Sequence, residues 1–269
     1  MIKRLVPLIL VTLSLCQIGV AATPSADLIK KIAAASGGME AFEKLGVIRL
    51  EITEKDSFAD GTDLSSSFTA TLDTRLDNIR LEMGDGQIVI VSNGDNGWAL
   101  IRGQLDERKQ TLQMAPKVIR KKLLPWLLPF TLNLNGVYFP DSPSATTFAG
   151  KPALKAAFTV PDSFFDTPVM NTKWTAFLSK DDNRIVGAEF LPNEEYKEAM
   201  KEGMRYHITK ATELKGVRIP TEINVTGIDA AGRTTQTKRT ITIKATIVNE
   251  PSPALFLHPE LLQAFEEDE

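Results

Sequence analysis

The sequence predicts a mainly β protein (α+β): a large curled antiparallel sheet forming an open half-barrel, capped by N-terminal helices and a helical insert. Three observations predict it. Apolar and polar residues alternate with period two through many short stretches, turn signals separate those stretches, and one non-alternating apolar run divides them into two sets. A single antiparallel sheet of that many strands cannot stay flat, because strand twist accumulates until the sheet curls.

The N-terminus reads as a removable address. Lys3 and Arg4 are followed by an apolar stretch from Leu5 to about Leu15, and the small residues Gly19, Val20, Ala21 and Ala22 close it. The expectation is a secretory signal peptide over residues 1–22, cleaved after Ala22, with residues 23–269 forming one domain in the periplasm. The apolar core is shorter than the ~20 residues a membrane span needs. The sole cysteine, Cys16, follows Leu15, and a lipid-attachment motif calls for a small residue there. Removal of the segment leaves a chain with no thiol chemistry and takes the formal balance from 31 cations against 34 acids to 29 against 34, or −5. That mild acidity disfavours nucleic acid as a partner.

Pro24 and Ser25 start a helix, with Ser25 as the expected cap and Leu28, Ile29, Ile32, Ala33 and Ala35 as its apolar stripe. Ser36-Gly37-Gly38 ends it, and a second short helix runs from about Met39 to Leu45. Alternation then begins: Ile48, Leu50 and Ile52 oppose Arg49, Glu51 and Thr53. It recurs at Phe68, Ala70, Leu72 and at Ile79, Leu81, Met83, with Asp85-Gly86 as a hairpin turn and 93–97 as another before Trp98. Between about Asp106 and Pro129 the rhythm turns helical. Strands resume around Leu154 to Val160, Trp174 to Leu178, Ile185 to Phe190, Arg205 to Thr212, Val217 to Thr226 and Thr240 to Val248. The expectation is two helices, about five strands, the insert and about six more strands.

Catalytic and metal signatures are sparse. His207 and His258 lack a second ligand at metal spacing. The acid pairs Asp106-Glu107, Asp181-Asp182 and Glu194-Glu195 could in principle run glycoside hydrolysis, but each sits in a lysine- or asparagine-rich turn or helix, as solvated acids do. No nucleophile with a neighbouring base is apparent, and no cofactor is called for.

The apolar residues carry more. Leu123-Leu124-Pro125-Trp126-Leu127-Leu128-Pro129-Phe130 follows Lys121 and Lys122. Its two prolines forbid one smooth helix, and its side chains point in all directions, so it needs cover on every side. It is expected to be a jointed helical piece over the concave face, either a ligand-facing lid or a plug that completes the core. Phe68, Met83, Trp98, Trp174 and Phe190 lie on strands, where they either pack the interior or line a hollow. With Leu123, Leu124, Trp126, Leu127, Leu128 and Phe130 they form the candidate binding set for apolar ligands.

The order of parts resembles the periplasmic lipoprotein-sorting carriers of the LolA and LolB type. The stretches that carry the resemblance are Ala33-Ala34-Ala35-Ser36-Gly37-Gly38, Asn93-Gly94-Asp95-Asn96-Gly97-Trp98 and Phe148-Ala149-Gly150-Lys151-Pro152-Ala153. They continue with Phe177 to Val186, Gly216-Val217-Arg218-Ile219-Pro220 and Pro253-Ala254-Leu255-Phe256. The resemblance implies an unclosed barrel capped by helices, whose apolar hollow holds acyl chains of a lipid or lipoprotein, and a membrane-associated donor or acceptor protein. It also implies a lid arginine that bonds the helices and controls opening, for which Arg102, Arg108 and Arg120 are candidates by location. The resulting expectation is a non-enzymatic, monomeric carrier or sensor. A protein-interaction module on the same fold and a hydrolase using an acid pair are the alternatives.

Overall fold

The computed structural model describes residues 24–94, 96–134, 136–161, 164–165, 174–191 and 202–261. The expected signal peptide, Glu194, Glu195 and the acidic tail lie outside them.

Thirteen strands, all antiparallel, form one sheet among the described residues. Before the insert come α1 (Pro24–Ala34), α2 (Met39–Glu43), β1 (Val47–Ser57), β2 (Asp63–Asp73), β3 (Asn78–Met83), β4 (Ile88–Asn93), β5 (Asn96–Ile101) and β6 (Gln104–Leu105). The insert is α3 (Lys109–Leu123) and α4 (Leu128–Thr131). After it follow β7 (Ser144–Phe148), β8 (Lys151–Phe158), β9 (Trp174–Ser179), β10 (Ile185–Phe190), β11 (Gly203–Leu214), β12 (Val217–Ile228) and β13 (Thr234–Val248). The spatial order is β6-β5-β4-β3-β2-β1-β13-β12-β11-β10-β9-β8-β7. The first and last strands therefore meet in mid-sheet, while β6 and β7, the two free edges, are joined in sequence by the insert. The insert leaves one edge and packs back over the sheet, with α3 against β4 and β5.

Strand count exceeds the expectation by two, for physical reasons. β6 has two residues, too few to show a period, and β7, Ser-Ala-Thr-Thr-Phe, buries only Phe148. β13 begins six residues before Thr240, in a polar stretch that pairs with β12 beyond the reach of the core. The expected cap also shifts. Ser25 lies inside α1, and its hydroxyl accepts a hydrogen bond from the Phe139 backbone N–H at 3.1 Å, tying the helix to the chain leaving the insert.

Burial on β1 follows the alternation: Ile48, Leu50, Ile52 and Glu54 face in, Arg49, Glu51, Thr53 and Lys55 face out. The concave face carries two apolar clusters. One centres on Ile48, Leu50, Leu72, Leu81, Ile219 and Ile243, the other on Phe158, Trp174, Leu178, Ala188 and Phe190. The convex face is mostly polar, with two local aromatic patches. Phe148 stacks on Phe177 at 4.2 Å with His207 edge-on, and Trp98 meets His258 edge-on.

Two glycines allow the helices to sit close. Gly37, at φ +106, ends α1 against the β12 hairpin, where the Arg218 N–H donates to the Ser36 carbonyl at 3.0 Å. Gly97 on β5 lies directly under α3: a Cβ there would stand 2.5 Å from the Val91 oxygen and 2.7 Å from the Ala115 Cβ. Replacing Gly97 with valine is therefore expected to lift α3 off the sheet and to cost about 1–3 kcal/mol, the usual cost of overpacking. Urea denaturation checks it, and a wild-type midpoint would show that the helix relaxes without loss.

Candidate functional site

The prolines divide the apolar run as their missing N–H groups require. α3 stops at Leu123, a turn covers 124–127, and α4 is a single turn from Leu128 to Thr131, with Pro129 in its first turn. The joints are closed by hydrogen bonds from the Leu127 N–H to the Leu123 carbonyl and from the Thr131 hydroxyl to the Leu127 carbonyl. Pro116 sits inside α3, where the helix passes over β5.

Leu123, Leu124, Trp126, Leu127, Leu128 and Phe130 are all buried, none more than 2% exposed. Cover comes from two sides. The sheet provides Phe68, tilted against Trp126 at 5.2 Å, and the second helix provides Phe42, stacked on Phe130 at 3.9 Å. Leu123, Trp126, Leu127 and Phe130 join the first apolar cluster, and Leu124 and Leu128 join the second beside Leu28 and Ile32 of α1. The segment is thus clamped between the N-terminal helices and the concave face.

Of the strand residues in the candidate set, Phe68 is buried in the first cluster, and Met83, its partner across β2 and β3, packs against it half-buried. Trp174 and Phe190 meet at 4.6 Å in the second cluster. Trp98 lies on the opposite face of the sheet, packed with Val89 and Val91 near Phe256. Ten of the eleven residues therefore share the concave side.

Two cavities flank the run. One, of about 390 Å³, is bordered by Ile79, Ile119, Arg120, Leu123, Leu124 and Phe164 among others. The other, of about 200 Å³, is bordered by Lys121, Lys122, Pro125 and Trp126 from the insert and by Phe190, Met204, Val225 and Ile241 from the wall. At about 100° per residue, positions 119, 120, 123 and 124 fall on one side of a helix and 121, 122, 125 and 126 on the other. The first half of the run, Leu123 to Trp126, stands between the two spaces.

The smaller cavity has a charged end. Glu54, which parity places on the buried face of β1, takes Lys122 at 3.2 Å and Arg239 of β13 at 3.4 Å. Asp56 holds the Arg239 guanidinium in a two-pronged contact of 2.6 and 3.0 Å. Lys122 also stands over the Phe68 ring at 4.9 Å. Burial pushes the Tyr206 phenol, on the same wall, well above its ordinary range, so it stays a neutral hydroxyl.

Glu54 and Arg239 belong to the candidate site and were missed by sequence reasoning. The signal was present, since Glu54 shares parity with Ile48, Leu50 and Ile52, and Arg239 shares parity with Ile241 and Ile243. An acid and a base at core parity on paired strands mark a built polar site.

The candidate latch arginines lie elsewhere. Arg102 is in the β5–β6 turn at φ +53, Arg108 pairs with Asp106 at 2.6 Å before α3, and Arg120 faces the Phe164 ring at 5.6 Å beside the larger cavity. Among the described residues, Lys122 ties the insert to β1 through Glu54. Two of the acid pairs supply turn and helix-start contacts. Asp106 accepts from Arg108 and Thr111, which hold its carboxyl far below the usual range, and Asp182 pairs with Arg184 in the β9–β10 turn.

No protein-family model matches the chain, and no curated protein matches it in sequence. Solved structures do match in shape. A DUF1329 family protein from Desulfovibrio piger aligns at TM-score 0.55 and 12% identity, over 88% of this chain and 99% of that one. A LolA superfamily protein from Nitrosomonas europaea aligns at 0.53 and 11%, over 88% and 99%. A domain assigned as an outer membrane lipoprotein-sorting protein from Vibrio parahaemolyticus aligns at 0.52 and 10%, over 87% and 98%. At these identities the likeness is one of fold: the chain has the unclosed, helix-capped half-barrel shared by LolA-like structures.

Proposed function

We propose that this protein is a non-enzymatic periplasmic carrier or sensor that shelters acyl chains of a lipid or lipoprotein on its concave face, with residues 123–130 as the lid. The observation that carries the reading is the placement of this segment: apolar and proline-jointed, it fills the half-barrel, and its first half has a cavity on each side. The fold likeness to a protein assigned to lipoprotein sorting agrees with it. The smaller cavity is below the ~300–1,000 Å³ of small-molecule sites and the larger is at the low end of that range. Displacing the lid joins them.

The energetics favour exchange. Each methylene buried contributes about 0.8 kcal/mol, so a chain that takes the place of Trp126, Leu127 and Leu128 replaces the apolar contacts those residues give up. Closed and loaded forms then differ little in free energy, and a membrane-associated partner could tip the balance either way. Gentle purification followed by solvent extraction and mass spectrometry tests this, with a fluorescent fatty-acid probe added to the stripped protein. Co-purifying lipid and saturable probe binding are expected, and the absence of both would rule the reading out.

A second reading, a protein-interaction module on the same fold, is favoured by the near-complete burial of the segment, which then serves as a permanent plug. Polar replacement of Trp126, Leu127 and Leu128 together separates the two. A carrier loses lipid binding and keeps its sheet, whereas a plugged module loses its fold.

A further inference from the structure

We infer that the convex face carries a second binding site, a cleft of about 580 Å³ beneath the tip of the β7–β8 hairpin, which takes a saccharide. The cleft lies on the opposite side of the sheet from the lid and stands independently of the acyl-binding reading.

The cleft exists because the hairpin folds over the sheet. The strand register sets Ser144 beside Lys155, Lys155 beside Phe177, Phe177 beside Gly187 and Gly187 beside His207. Phe148 stands four residues past Ser144 on β7, ~13 Å further along a flat strand, and β7 is four strands from the β11 that carries His207. Yet the Phe148 ring stacks on Phe177 at 4.2 Å and meets the His207 ring edge-on at 5.4 Å. The hairpin tip therefore bends over the convex face and becomes one wall of the cleft. Gly187 leaves room for this, since a Cβ there would run into the Phe148 ring. Phe148 and Phe177 are each 6% exposed, so they brace that wall and present no open ring face.

Beyond that wall the lining is polar and runs in two adjacent rows across the strands. Lys155, His207 and Asn224 belong to one row, and Thr175, Glu189, Arg205 and Thr226 form the other. Glu189 and Arg205 are held in place: the Arg205 Nε–H donates to the Glu189 carboxylate at 2.7 Å, and a terminal N–H donates to the Gly232 carbonyl at 3.2 Å. Burial and the nearby Lys151 charge pull the His207 imidazole below its ordinary pKa, so at neutral pH the ring is uncharged and offers one donor and one acceptor. This lining discriminates among guests. An apolar ligand would take water from the Glu189–Arg205 pair and return no hydrogen bonds. A flat aromatic ligand finds no ring to stack on, and a simple anion meets Glu189 as well as Lys155. A saccharide suits the mixture, because each of its hydroxyls both donates and accepts. The volume also lies within the ~300–1,000 Å³ of small-molecule sites.

The test titrates the full mature chain, isotopically labelled at histidine, with maltose, N,N′-diacetylchitobiose and digalacturonic acid while the imidazole signals are followed by NMR. The chain has two histidines, so His207 reports the cleft and His258, packed on Trp98, serves as the internal control. At least one of the three sugars is expected to shift His207 saturably and to leave His258 unmoved. Asn224→Ala, at an exposed position, is expected to weaken that sugar about fivefold, the worth of one neutral hydrogen bond. Glu189→Gln is expected to weaken it about tenfold, the worth of a charged one. A wild-type His258 signal in each variant shows that the fold is kept. No saturable His207 shift with any of the three sugars, or a binding midpoint that neither substitution moves, would overturn the site and leave the acyl-binding reading untouched.

Discussion

Phe130→Ala is expected to speed tryptic cleavage at Lys121 and Lys122 by about a hundredfold or more, because truncating a buried phenylalanine costs about 3–5 kcal/mol and each ~1.4 kcal/mol is a factor of ten in the open population. Phe130 is unexposed and lies flat on Phe42 at 3.9 Å, so its ring joins the lid to the second helix. The two lysines immediately precede the lid and become accessible when it lifts. Limited proteolysis in native buffer reads the local opening, and urea denaturation of the same variant reads the sheet. In a carrier the cleavage rate changes far more than the unfolding midpoint. If both change in step, the segment opens only when the whole protein does, and the lid assignment falls.

Glu54→Ala is expected to lower the unfolding free energy by about 1–3 kcal/mol, the usual cost of leaving partly buried hydrogen-bonding groups without their partner. The loss comes less from the contacts removed, which are long, than from leaving Lys122 and the near edge of Arg239 in a half-buried place without their carboxylate. The companion experiment is the double replacement Glu54→Met with Lys122→Met. It removes both charges and keeps the volume, so most of the loss is expected to return, with Arg239 still held by Asp56. Chemical denaturation of the two variants checks the pair. An alanine variant as stable as wild type would show that water already enters this end of the cavity and solvates the cations.

Much of the fold could be read from the chain because its information is local. Period-two alternation announced β1, β3 and β9 to β13, and Asp85-Gly86 and Asn183 stand at tight turns with positive φ. The jointing of the apolar run followed from two prolines. What could not be read is what depends on partners far along the chain. No local signal says that Phe42 stacks on Phe130, that Glu54 meets Arg239 across the first and last strands, or that Trp98 turns to the convex face under Phe256. Whether the run faces the interior was legible, since nothing so apolar stays in water. Which cation ties it down was not. Arg120 and Lys122 stand about 200° apart around the helix, and only the placement of α3 on β5 fixes which of them meets β1.

The pairing of β1 with β13 sets the order of events in folding. Within each half of the sheet every strand pairs with its sequence neighbour, so both halves can assemble through short hairpin closures, which are fast. The joint between them matches Val47 with Val248 and Ser57 with Lys238, closing a loop that contains every other strand of the sheet. Such closures carry the largest entropy cost and set the rate. Until β13 arrives, β1 presents a bare edge and the apolar row Ile48, Leu50 and Ile52, the exposure that makes slow-folding sheets stick to one another. The same joint that completes the concave wall is therefore the point at which a newly made chain is most exposed to misassembly.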